Sequence, residues 1–188
     1  MNVNKWGPGG WNFLHTMTFN YPLEPTEYDK ERYSKFFNIT GEMLPCKYCR
    51  NSYKKYIKYV PIEPFLEDRE GVSYWLYRIH QLVNDKVFKK NVSFKQVVKE
   101  YEKIRAKCGK LNRNNDIDKK FKTCQIKNKK ENTSEVDICC FVNKARGKYQ
   151  IKIDNMVDKL IESDENPNID YLDYLKKNRN IKSYFIDY

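Results

Sequence analysis

The stretch EGVSYWLYRIHQLVNDK, residues 70–86, constrains the fold more than any other part of the chain. Val72, Trp75, Leu76, Ile79, His80 and Val83 recur at helical spacing, so the segment is a helix with a broad apolar face. Such a helix gains most of its stability from burial against other helices. Neighbouring segments supply them. In WNFLHTMTF, Trp11, Leu14, His15 and Thr18 share one face, Pro8 suits a first helical turn, and Pro22 and Pro25 stop the helix. A second helix opens at Thr26, an N-cap with Asp29 three positions on, carries Tyr33, Phe36 and Phe37, and ends near Gly41. A third is expected from Pro45 to Pro61. A fifth opens at Ser93, with Gln96 completing a capping box, and aligns Val97, Tyr101 and Ile104. These segments predict an all-α domain.

Beyond Cys108 the pattern is lost. Residues 109–135 are polar, rich in Asn and Lys, and read as a linker. Residues 136–188 form an extension of uncertain fold: VDICCFVNKARGKYQIKID is ambiguous between strand and helix, and NMVDKLIES and DYLDYLKKN read as short helices. The division is therefore 1–108, 109–135 and 136–188.

Composition excludes several classes. No stretch approaches the ~20 apolar residues that span a bilayer, and MNVNKWGPGG lacks the apolar run of a signal peptide, so a soluble protein is expected. The net charge of +11 invites a nucleic-acid reading. Lysines are, however, spread along the whole length without a recognised nucleic-acid signature, so nucleic acid is not expected as the main partner.

Six cysteines remain to be explained: Cys46, Cys49, Cys108, Cys124, Cys139 and Cys140. In LPCKYC, Cys46 and Cys49 fall in the first turn expected for the third helix, where free amides and the helix dipole stabilise a thiolate. The spacing alone serves a redox disulfide, a static bridge or half a zinc site. A zinc site needs two further ligands, and no second CxxC or HxxxH supplies them at the usual spacing, so no metal is expected. His15 shares a face with Trp11, and His80 with Trp75. Singly, each reads as a core histidine bonded to a carbonyl; together they suggest a cavity with flat walls that suits a planar aromatic cofactor.

Three motifs carry a resemblance. WGPGGWNFLHTMTFNYP is similar to the W-x-x-L-H-T…Y-P opening of the Erv/ALR family of FAD-linked sulfhydryl oxidases. LPCKYC resembles that family's active-site CxxC, and YWLYRIHQLVNDKVFKK its flavin-binding helix. The resemblance covers about residues 6–108. It implies a four-helix bundle with a short fifth helix, FAD as cofactor, protein thiols as substrates, dioxygen as acceptor with hydrogen peroxide formed, and a homodimer. Position by position it implies FAD contacts from Trp11, His15 and Tyr21 on the first helix and from His80, Val83, Asn84, Lys86 and Lys89 on and after the fourth. Cys49 would sit against the flavin, and Cys46 would meet incoming thiols. Departures are Gln81 for the usual Asn, Phe88 and Lys90 for the Gly and Pro of the following turn, and no partner near Val92 for Cys108, which aligns with a structural half-cystine.

The long extension and the Asn/Lys/Tyr-rich composition resemble the large DNA-virus branch, which implies work in the host cytoplasm or the virion. In the tail, Cys124, Cys139 and Cys140 are candidate shuttle cysteines on a mobile tether; the alternative is a packed accessory unit with buried thiols. The competing reading for the whole chain is a basic binding module with a static CxxC bridge or structural zinc.

Overall fold

A computed structural model describes residues 2–107 and 135–163. Among the described residues every regular element is helical: α1 (Val3–Phe19), α2 (Glu27–Met43), α3 (Lys47–Tyr59), a 3-10 turn (Glu63–Phe65), α4 (Arg69–Lys86), α5 (Phe94–Lys107) and α6 (Glu135–Glu162). The helix with the strongest periodic signal sits at the centre. α4 packs against α1 on one side and α6 on another, α2 lies on α3, and α5 bridges α1 and α6. Trp75, Leu76 and Ile79 of α4 are fully enclosed. Truncating a ring such as that of Trp75 would leave a cavity costing about 3–5 kcal/mol.

The core is rich in tyrosine, and each buried hydroxyl needs an acceptor. Backbone carbonyls supply several of them. Tyr21 donates to Leu66 O at 2.8 Å, Tyr53 to Phe37 O at 3.0 Å and Tyr77 to Val92 O at 3.0 Å, while the Trp75 indole donates to Val60 O at 2.9 Å. These bonds tie helices to the ends and loops of their neighbours. Two glycines permit close helix approaches: a Cβ on Gly41 would run into the Tyr53 ring, and one on Gly71 would collide with Phe65 O and lie 2.8 Å from the Tyr149 ring.

The capping boxes at Thr26–Asp29 and Ser93–Gln96 are both formed. Three boundaries differ from the sequence expectation. α1 begins at Val3, ahead of Pro8, because the Asn2 side chain accepts the Asn4 N–H at 3.0 Å and caps the helix there. Pro8 lies inside the helix and leaves one carbonyl without its usual donor. α3 begins after Cys46, not at Pro45: Leu44 is held extended before the proline, and Cys46 is itself the N-cap. The stretch after the polar segment is one helix of 28 residues, not an ambiguous element followed by a short helix.

α6 buries Ile138, Val142, Ala145, Tyr149, Ile153, Val157 and Leu160 in the same core as α4 and α5. Charges flank that stripe and are paired. Lys148 reaches Asp68 at 3.0 Å, Lys144 reaches Glu70 at 3.0 Å, and Arg78 meets Asp154 at 2.8 Å. Most of the polar stretch read as a linker, the DYLDYLKKN segment, Cys108 and Cys124 lie outside the described residues.

Candidate active site

A groove of about 400 Å³ opens between the N-terminal half of α1, the end of α2, the start of α3 and the end of α4. Cys49, Trp11, Val83 and Lys86 all line it, so four of the residues expected from the sequence converge. Rings form much of the remaining wall, from Trp6, Phe13, Phe36 and Tyr48. The Lys86 ammonium stands at the edge and donates to the Ser52 hydroxyl at 2.6 Å.

The two histidines lie behind that wall and touch each other. Trp11 stacks on His80 with ring centroids 3.8 Å apart and planes 6° from parallel, and His15 Nε2 lies 3.1 Å from His80 Nδ1. One nitrogen of the pair donates and the other accepts, so the contact is made between neutral rings. Burial, then the neighbouring His80, lowers the His15 pKa to about 3; burial, then the Lys89 charge, lowers that of His80 to about 4. The histidines bond each other rather than the carbonyl that a core histidine would find. His15 Nδ1 and the indole Nε1 of Trp6 are buried without a hydrogen-bond partner.

The remaining candidates are placed differently. Tyr21 is enclosed in the core beneath Tyr33, away from the groove lining. Asn84 donates to Asn91 Oδ1 at 3.2 Å, and its carbonyl accepts the Lys89 N–H at 2.8 Å, which holds the turn after α4. Phe88 in that turn has φ 54°, the left-handed conformation that glycine favours, at the position where the resemblance expects glycine. Trp75 does not line this groove: it packs edge-on against Phe37 at full burial, because its position on α4 faces α2. Gln81 bonds Tyr77 and lines a separate cleft toward α6.

Cys46 and Cys49 are free thiols with unequal environments. Cys46 Sγ accepts the Cys49 N–H at 3.4 Å, the usual N-cap contact made by sulfur. Hydrogen bonds from the Cys49 side chain and backbone hold the Cys46 thiol below its ordinary range. Burial in the groove wall, reinforced by the Cys46 sulfur, pushes Cys49 up to about 11. In the reduced pair, therefore, the outer sulfur gives up its proton more readily than the inner one. The spacing alone places both cysteines inside the first turn; the inner place of Cys49 and the outer place of Cys46 come in the sequence reading only from the resemblance.

The sequence reading misses Val3, Trp6 and Gly10 in the groove. They fall at i, i+3 and i+7, and starting α1 at Pro8 hides that face. Cys139 and Cys140 are exposed, so they are not the buried thiols of the packed alternative, although α6 itself is packed. Adjacent helical residues point about 100° apart, so these two sulfurs cannot pair with each other while the helix is intact.

This geometry has relatives. Residues 8–103 match the Erv1/Alr family. The chain belongs to the Erv1/Alr family. It is 36% identical over 104 residues to a mimivirus protein named "Probable FAD-linked sulfhydryl oxidase", covering 55% of this chain and 73% of that one. The FAD-linked sulfhydryl oxidase of African swine fever virus is 31% identical over 99 residues, covering 52% and 80%. The mitochondrial FAD-linked sulfhydryl oxidase ERV1 of Saccharomyces cerevisiae is 33% identical over 88 residues, and the match spans 47% of this chain and 46% of ERV1. Among solved structures, the FAD binding domain of Erv1 from Saccharomyces cerevisiae aligns with a TM-score of 0.52 at 30% identity, covering 55% of this chain and 96% of that one.

FAD is the cofactor that this family membership brings. The residues present fit it: a groove with several ring walls accepts a flat heterocycle, two buried ring nitrogens lack partners, and Lys86 brings a cation to the rim. Lys89, outside the groove lining, lies close enough to depress His80.

Proposed function

We propose that the protein is an FAD-dependent sulfhydryl oxidase that forms disulfides in protein thiols, with dioxygen as electron acceptor and hydrogen peroxide as product. The observation that carries this reading is the division of the cysteine pair: Cys49 lies in the wall of the ring-lined groove, while Cys46 caps α3 outside it. Trp11, His15, His80, Val83 and Lys86 hold the cofactor from α1 and α4. Asn84 and Lys89 contribute through the turn after α4, and Tyr21 serves the core instead.

Starting from a Cys46–Cys49 disulfide, a substrate thiolate attacks Cys46 Sγ and forms a mixed disulfide, and Cys49 leaves as a thiolate. A second substrate thiolate attacks the substrate sulfur of that mixed disulfide and releases Cys46. The substrate disulfide is then complete, and two electrons rest on the Cys46–Cys49 dithiol. Bound FAD supplies the two-electron acceptor that passes them to dioxygen. The low Cys46 pKa favours its departure, since a thiol of low pKa is the better leaving group.

We further propose a symmetric homodimer through the outer face of α2, where Tyr28 and Ile39 are exposed. Phe37 of the same helix is buried in the core and takes no part in that face. The match to two large DNA-virus proteins supports action in the host cytoplasm or the virion. Among the described residues no helix is long and apolar enough to cross a membrane.

The full chain should purify yellow, release FAD on heating, and consume oxygen with dithiothreitol. Cys46→Ser and Cys49→Ser should each lower that turnover by at least about 100-fold while retaining FAD. In the reduced wild type, iodoacetamide at neutral pH should label Cys46 well before Cys49. A colourless protein that takes up no added FAD would sink the reading.

A further inference from the structure

α3 carries its charge as no neighbouring helix does. From Met43 to Ile62 the chain has Lys47, Arg50, Lys54, Lys55 and Lys58 and no Asp or Glu. Other helices balance their cations: α2 pairs Lys30 with Glu27 and Lys35 with Glu31, and α6 pairs lysines with the start of α4. α3 contains no acidic residue of its own, and Lys47, Lys54 and Lys58 lie on its exposed face. Lys47 stands in its first turn, where the dipole disfavours a cation, and Lys54 and Lys58 are like charges one turn apart. Lys47, Asn51, Lys54 and Lys58 are all exposed and fall at i, i+4, i+7 and i+11, one continuous stripe.

The place of this stripe matters. It starts one residue from Cys46, the sulfur open to incoming thiols. The track therefore runs away from the cofactor groove, whose rim holds Met43 and Tyr48. Local self-repulsion retained on the one helix that carries the redox pair is a departure expected at a functional surface.

We infer that α3 is a substrate-docking track selecting polypeptide thiols flanked on one side by acidic residues. This rests on the sulfhydryl oxidase reading and deepens it. The rise from Lys47 to Lys58 is ~16 Å of helix, which matches about five residues of extended chain. The acidic residues are thus expected within about five positions of the reacting cysteine. Exposed charges of this kind act mainly on encounter and discrimination, and salt screens them.

The experiment uses the full-length holoprotein and two reduced peptides that share a central cysteine pair and differ only in five flanking residues, glutamate-rich or lysine-rich. Thiol loss is followed in low salt and in ~1 M NaCl, where screening is nearly complete, with dithiothreitol as an uncharged control. At low salt the acidic peptide should show kcat/KM about tenfold above the basic one, and high salt should remove most of the difference. Lys54→Glu/Lys58→Glu should abolish or reverse the preference and leave dithiothreitol turnover unchanged. Equal rates for the two peptides at low salt, or a preference that survives the double substitution, would overturn the inference. A failure of the oxidase reading looks different, since dithiothreitol would not be oxidised. The docking claim is then still read by fluorescence anisotropy with labelled serine-for-cysteine peptides, where acidic must bind more tightly than basic.

Discussion

The two long sides of α4 teach opposite lessons about buried polarity. Toward α6, the side carrying Gly71, Tyr74 and Arg78 is closed: rings interlock, Arg78 is paired with Asp154, and Glu70 and Asp68 accept lysines. Toward the groove, the side carrying His80, Val83 and Lys86 meets ring faces that line an opening and buried nitrogens without partners. The first side is completed by the protein's own C-terminal helix. The second is left open by the protein, and in the proposed function the flavin completes it; its histidines are held neutral by burial. A single helix thus serves as structural beam on one side and groove wall on the other.

Breaking the closed side should do the most damage. Asp154→Ala leaves the mostly buried Arg78 without its paired carboxylate and should cost about 3–5 kcal/mol, read as a fall in the urea midpoint at unchanged slope. Replacing both by apolar residues of similar volume should recover most of it. A loss below about 1 kcal/mol for the single variant would mean that α6 is not fastened through this pair.

Acid separates the two sides by pH window. His15 and His80 have folded pKa values below the unfolded 6.5, so the unfolded chain binds protons that the folded one refuses. Their contribution is complete above about pH 6.5 and is lost as pH falls toward 4. On the α6 side, burial opposes ionisation of Asp68, but hydrogen bonds from Lys148 and the Gly71 N–H prevail and hold its carboxyl below the ordinary 3.8. Its contribution is lost only at lower pH. Urea unfolding of the full chain should therefore show stability falling by a few kcal/mol between about pH 6.5 and 4.5. His80→Gln should flatten that slope. A flat profile in the wild type would contradict the neutral histidine pair.

The mildest test takes one glycine from each region. Gly71→Ala drives a methyl into Phe65 O and the Tyr149 ring and should cost about 1–3 kcal/mol. On the groove side, a Cβ at Gly10 meets the Trp6 ring at 3.4 Å, an ordinary contact, so Gly10→Ala should gain about 0.5–1 kcal/mol from helix propensity. Opposite signs in thermal melts are the expected result; equal losses would erase the distinction between the two sides.

Much of the groove is legible in the sequence because its residues sit on strongly periodic helices. Trp11, Cys49, Val83 and Lys86 can be placed once α1, α3 and α4 are recognised. Val3 and Trp6 stay hidden when Pro8 is taken as the helix start, because the Asn2 side chain caps the helix immediately before Val3. A proline inside a helix is a poor guide to where the helix begins when a side-chain cap precedes it.

α6 is hard to read for a different reason. Tyr149, Ile151 and Ile153 alternate with polar residues like a strand, yet Ile151 is 77% exposed while Tyr149 and Ile153 are buried. The stripe that runs from Ile138 through Val142, Ala145 and Tyr149 to Leu160 follows the helical period, but β-branched residues and the Cys-Cys-Phe-Val run blur it locally.

The elements themselves are encoded locally. Where apolar residues repeat every three to four positions, a helix with one buried face is the favoured outcome, and the Thr26 and Ser93 capping boxes mark two of the starts. Which side chains meet is not encoded locally and comes from packing. His15 and His80 are 65 positions apart, and Arg78 pairs with Asp154 from the far side of the polar segment; nothing in either stretch specifies those contacts. They arise because α4 is packed between α1 and α6, and packing sets distances that periodicity leaves free. The unequal cysteines have the same origin: the CxxC spacing treats them alike, and only the groove, by burying Cys49 and leaving Cys46 at the cap, makes one sulfur the more acidic and the other the inner partner.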